Sequence, residues 1–170
     1  MRLTILLISI SISFAAHAQK LNRPAIEKIV KRMDSLYKEN YTSFSKNKKT
    51  TKGKLFKEYW KYYKAPSQIY FSVEQRIDST EYKEEYYFYK SKLIYATERE
   101  IFYVPSLDPD NGTTWAGSYY FSGNKMIEEE TLGHGKSESE DNSWNPEKET
   151  LSRLQKRKSE IKKQGINLSF

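Results

Sequence analysis

Cysteine is missing from all 170 residues, so no disulfide can brace the fold and no thiolate can act as nucleophile or metal ligand. Histidine is nearly missing as well. Of the two present, His17 lies at the end of an apolar N-terminal stretch and His134 stands between Gly133 and Gly135. A nucleophilic triad needs a base held in one orientation by a third group, which two flanking glycines do not provide. Glycine (7) and proline (5) are sparse, and neither a phosphate-binding glycine loop nor a nucleotide fingerprint occurs. The sequence therefore predicts no catalytic residue, no metal site and no cofactor. Long apolar runs are also absent: the longest, Leu3 to Phe14, falls short of the ~20 residues that span a bilayer.

That short run has a use of its own. Arg2 precedes it and Ala16-His17-Ala18 follows it, the pattern of a secretory leader with a small-x-small cleavage site. Residues 1–18 are expected to be a signal peptide cleaved near Ala18. A single domain, 19–170, would then work in the periplasm or outside the cell, with no transmembrane segment after cleavage.

What the chain has in quantity is tyrosine and lysine. Aromatics make up 15%, with 14 tyrosines against 8 phenylalanines. Tyrosine suits a sheet that is packed on one side of its ring and wet at its hydroxyl. Charge is uneven. Lys20–Lys64 holds 14 basic and 4 acidic residues, Ala65–Thr150 holds 8 and 17, and the rest holds 6 and 1. Two readings follow: basic flanks that neutralise an acidic sheet, or a basic loop for an anionic surface. The loop candidate is "KNKKTTKGK", with Lys46, Lys48, Lys49, Lys52 and Lys54.

Between Pro24 and Lys38 the apolar residues Ile26, Ile29, Val30, Met33, Leu36 and Tyr37 fall on one helical face. Asn22 is its candidate cap, and Pro24 fits the first turn. Tyr41–Gly53, polar and basic, reads as a loop. "LFKEYWKYYK" reads as a strand on its aromatic density, although helical spacing fits it too. "QIYFSVEQRID" alternates as a half-buried strand.

The stretch "YYFYKSKLI", Tyr86–Ile94, returns as "YYFSGNKMI", Tyr119–Ile127. Gly123-Asn124 can supply a two-residue hairpin turn, which puts Phe121 opposite Met126, Tyr120 opposite Ile127 and Tyr119 opposite Glu128. In the first copy, Lys90-Ser91 puts Phe88 opposite Leu93 and Tyr87 opposite Ile94, and this poorer turn predicts a bulge. Together with a fainter echo at Tyr62-Tyr63, the hairpins predict an α+β fold. It is an antiparallel β-meander of five or six strands, flanked by an N-terminal and a C-terminal helix. The second helix opens at Asn145-Pro146 and stops at Gly165. The intervening stretch near 133–145 is expected to be mobile.

The serial Tyr-Tyr-Phe, turn, Lys-aliphatic-Ile hairpins between Tyr82 and Thr131 resemble those of small secreted bacterial proteins of unknown function. The resemblance implies a similar sheet and export. It carries over no active-site residue.

Several stretches invite a chemical reading. "DPDNG", Asp108–Gly112, lacks the spacing of a calcium loop, and its twelfth position is Tyr119 where a glutamate is required. The pairs Glu128/Glu130 and Glu98/Glu100 lie at strand spacing that a glycoside hydrolase could use. "KEYWKYYK" suggests an aromatic platform of Trp60 and Tyr62, as for glycans or nucleic-acid bases, but the acidic centre would repel phosphates and disfavours nucleic acid as a partner. The sequence thus predicts a non-catalytic secreted or periplasmic binding or structural module. Its partner would be an unknown protein or an anionic envelope component; the alternative is a small hydrolase using strand carboxylates.

Overall fold

The computed structural model describes residues 21–102, 113–123, 125–133 and 144–168. The expected leader, Asp108–Gly112, Asn124, His134 and most of the stretch expected to be mobile lie outside these residues. Helix α1, Arg23–Asn40, precedes strands β1 (Thr42–Lys49), β2 (Leu55–Ala65), β3 (Gln68–Ile77), β4 (Thr80–Tyr89), β5 (Lys92–Phe102), β6 (Thr113–Ser122) and β7 (Lys125–Gly133). Helix α2, Pro146–Lys163, follows. The strands form one antiparallel sheet in the order β1 to β7, so the fold is the expected α+β meander between two helices.

Both helix starts follow local chemistry. The Asn22 side chain accepts a hydrogen bond from the Ala25 amide at 3.1 Å, and Asn145 accepts one from the Lys148 amide at 2.8 Å. Each helix has proline in its first turn, where amide donors have no intrahelical partner. In α2, Glu147 and Glu149 sit at the positive end of the dipole and Lys162 and Lys163 at the negative end.

Strand number and register differ from expectation. The sheet has seven strands because Thr42–Lys49, read as loop, pairs with β2 from Thr42↔Tyr62 to Lys49↔Leu55. Its only apolar residue is Phe44, so alternation was invisible; serine and lysine are what an unpaired sheet edge carries. In the repeated hairpins, Phe88↔Leu93 and Phe121↔Met126 form as expected. Beyond them Tyr87 pairs with Tyr95 and Tyr120 with Glu128, so Ile94 and Ile127 are skipped. Both copies contain the bulge, not the first alone.

The bulges explain what the duplication achieves. In each copy the first tyrosine and the phenylalanine face α2, and the second tyrosine faces α1. Tyr63, Tyr70, Tyr87, Tyr95 and Tyr120 then line up across five neighbouring strands. Ring centroids are 4.9 Å apart for Tyr70–Tyr87, 5.6 Å for Tyr87–Tyr95 and 4.9 Å for Tyr95–Tyr120. Helix α1 lies on this row through Ile26 and Met33, both fully buried, and Tyr37 stacks on Tyr70 at 3.9 Å. Without the skipped residue, Tyr95 would point to the other face and break the row.

The opposite face is the larger core. Trp60, Phe71, Tyr86, Phe88, Leu93, Tyr119 and Phe121 pack there under Leu154 and Ile161 of α2 and Leu168 beyond it. Burial, followed by the nearby carboxylates, raises the phenol pKa values far above the ordinary range: Glu85 for Tyr70 and Tyr87, Glu84 for Tyr86, Glu98 for Tyr119. The folded state thus holds these protons more tightly than the unfolded chain, whose tyrosines titrate near ~10. Their stabilising contribution is complete below that pH and is lost as pH rises above it. In an alkaline absorbance titration these four should yield no phenolate until the chain unfolds. Full titration of all tyrosines near ~10, with the fold intact, would contradict this burial.

Candidate binding face

The sheet alternates, so each strand divides its residues between the α2 face and the α1 face. On β2, Glu58, Trp60 and Tyr62 face α2, whereas Leu55, Lys57, Tyr59 and Lys61 face the other way. Register decides which aromatic is core. Trp60 is paired with Phe44 and Val73, and Tyr59 with Ser45 and Glu74.

The aromatic platform of Trp60 and Tyr62 is therefore corrected. Trp60 is only 1% exposed, stacked at 5.5 Å on Phe44 and 6.4 Å on Phe71, and Tyr62 packs half-buried against the same cluster. The exposed aromatic of this strand is its neighbour Tyr59, 49% exposed.

The basic loop is corrected as well, because its five lysines do not form one patch. Lys46 and Lys48 face α2. The Lys46 ammonium donates to the Glu160 carbonyl at 3.1 Å and lies 4.9 Å from the Trp60 ring centroid, and burial lowers its pKa. Lys48 bridges Glu58, at 2.9 Å, and Glu160. Lys54 pairs with Asp78. Of the five, Lys49 and Lys52 remain exposed without an ion pair among the described residues.

On the α1 side Lys49 is joined by residues that sequence reasoning missed. Lys49 is directly across from Leu55, Asn47 from Lys57 and Ser43 from Lys61. Among the described residues none of Lys49, Lys52, Lys57 and Lys61 forms an ion pair. Leu55 is 67% and Tyr41 43% exposed. The Lys57 ammonium stands 5.8 Å from the Tyr59 ring centroid and that of Lys61 5.1 Å from Tyr41. The period-two pattern Leu55-Lys57-Tyr59-Lys61 was the available signal. It was passed over because the alternate set, Phe56-Glu58-Trp60-Tyr62, is the more aromatic and drew the platform reading.

Toward the middle of the same face the charges are paired. The Glu85 carboxylate accepts from the Tyr70 hydroxyl at 2.8 Å and Thr97 Oγ1 at 3.1 Å, and pairs with Lys83 at 3.0 Å. Beside it a cleft of about 210 Å³ is lined by Lys83, Thr97, Arg99 and Ser118. Three of the four candidate catalytic acids are engaged elsewhere. Glu128 and Glu130 both pair with Arg23, at 2.6 and 2.7 Å. Glu98 is buried on the α2 face, paired with Arg153 at 2.7 Å and accepting from the Tyr119 hydroxyl at 2.6 Å.

Among the described residues no three histidine, aspartate or glutamate side chains converge as metal ligands, and no helix is long and apolar enough to cross a membrane. No known protein family, characterised protein or solved structure matches the chain.

Proposed function

We propose that this protein is a non-catalytic binding module of the cell envelope, exported to the periplasm or beyond. It meets an anionic surface through the β1–β2 end of its open sheet face. The observation that carries this reading is the segregation of lysines. Those on the α2 side are engaged by Glu58 and Glu160, while Lys49, Lys52, Lys57 and Lys61 form no ion pair among the described residues; Lys49 is directly across from exposed Leu55, and Lys57 and Lys61 flank exposed Tyr59 along its strand. The leader-like N-terminus agrees with such a location. The hydrolase alternative gains no support from Glu98, Glu128 and Glu130, which are held in ion pairs.

Four lysines at about 1 kcal/mol each near an anionic surface give roughly millimolar binding. Salt erodes it, since the Debye length falls to about 8 Å at physiological ionic strength. The test is retention of the mature chain on lipopolysaccharide and on acidic vesicles across a salt series. The protein should be held at low salt, and a variant with Lys49, Lys52, Lys57 and Lys61 changed to serine should not. Absence of retention at low salt, or equal retention of the two proteins, would refute the reading.

A further inference from the structure

Building on the anionic-surface reading, we infer that the surface is a phospholipid bilayer and that Leu55 and Tyr59 enter its headgroup boundary. A soluble polyanion needs cations alone. An aliphatic side chain two-thirds exposed in the midst of those cations contributes nothing to such a ligand and would be left in water. At a bilayer the same arrangement is productive. Leu55, directly across from Lys49 and two residues from Lys57, can leave water while long lysine stems keep their ammonium groups at the phosphates. Tyr59 has an apolar ring with a polar tip, the residue type that collects at membrane interfaces.

The contact is confined to one corner of the sheet. From Leu55 to Lys61 is about 20 Å along the strand, at ~3.3 Å per residue. Leu132, exposed on β7 at the far edge, is five strands away. With ~20–25° of twist between neighbours, its surface is turned by roughly 100° and cannot lie on the same plane. Lys52, in the turn after Lys49, extends the corner at its outer end.

The experiment is flotation with three probes: phosphatidylglycerol/phosphatidylcholine vesicles, phosphatidylcholine vesicles, and soluble polyphosphate as a competitor and direct ligand. Two variants are compared with the native chain, Leu55→Ser/Tyr59→Ser and Lys49→Ser/Lys57→Ser/Lys61→Ser, each first checked for an unchanged melting temperature. Of the two vesicle types, the inference expects the native chain to bind the anionic one only, with soluble polyphosphate bound through the lysines and competing. It expects a loss of about tenfold or more for the Leu55/Tyr59 variant, equivalent to about 1.4 kcal/mol, with its polyphosphate binding unaltered. If that variant binds anionic vesicles as the native chain does, the bilayer inference is overturned and the anionic-surface reading survives on the lysine variant. If the native chain binds neither vesicles nor polyphosphate, both fall.

Discussion

Arg157→Ala is expected to destabilise the fold by about 3–5 kcal/mol, the usual consequence of stripping one partner from a buried ion pair. Arg157 is a residue of α2 whose side chain, 8% exposed, points from the helix onto the sheet. It donates to Glu58 at 3.0 Å, to both Glu84 oxygens at 2.8 and 3.3 Å, and to Glu160 at 3.1 Å. Its removal leaves Glu84, among the described residues, with the Tyr86 hydroxyl, 3.2 Å away, leaves Glu58 with Lys48 and the Trp60 indole, and leaves Glu160 with Lys48. At about 2–4 °C per kcal/mol for a domain of this size, the melting temperature should fall by roughly 10 °C. Lysine would not restore it, because one ammonium cannot reproduce the planar fork that grips Glu84. The triple change Arg157→Met, Glu58→Gln, Glu84→Gln should recover most of the loss, since the cost lies in stranded charge rather than in a missing bond. A denaturant titration that finds the alanine variant within about 1 kcal/mol of native would contradict the docking of α2 through this cluster.

The second large effect is a contrast between adjacent residues. Trp60→Ala should cost about 3–5 kcal/mol, the range for emptying a buried aromatic site. Its ring lies between Phe44 and Phe71, with the Lys46 ammonium and the Arg157 guanidinium over its face. Tyr59→Ala, half-exposed on the other face, should change stability by less than about 1 kcal/mol yet weaken surface binding. Equal stability losses at the two positions would mean that the faces of β2 have been assigned wrongly. Loss of binding without loss of stability at Trp60 would mean the same.

That pair also marks how far the sequence could be read. Helix α1 was legible because Ile26, Met33 and their neighbours repeat at helical spacing. The repeated hairpins were legible because Tyr-Tyr-Phe recurs ahead of a turn and a Lys-aliphatic-Ile return. Strand β1 was not. Its edge position removes the need for apolar residues, and Phe44 alone gives no period. The bulges were half-visible. Leu93-Ile94 and Met126-Ile127 are each two aliphatic residues in a row, which fits a straight strand or a skipped residue equally well. Only the alignment of Tyr95 with Tyr87 and Tyr120 selects the latter.

The candidate site was less legible than the fold, for a physical reason. Charge counts identified a lysine-rich N-terminal part, but a count carries no direction. Whether a lysine faces solvent or Glu160 depends on strand parity and on where α2 docks, and α2 lies about a hundred residues further along the chain. Lys46 and Lys48 therefore passed from candidate ligand contacts to core-facing ones. Lys57 and Lys61, set among aromatics and read as part of a packing strand, became the exposed members.

The most direct test of the account is lysine acetylation footprinting of the folded protein, with and without anionic vesicles. The account predicts vesicle-dependent protection at Lys49, Lys52, Lys57 and Lys61, and no added protection at Lys46 and Lys48, which α2 already shields. Protection spread evenly over all lysines, or concentrated on the α2 side, would contradict it.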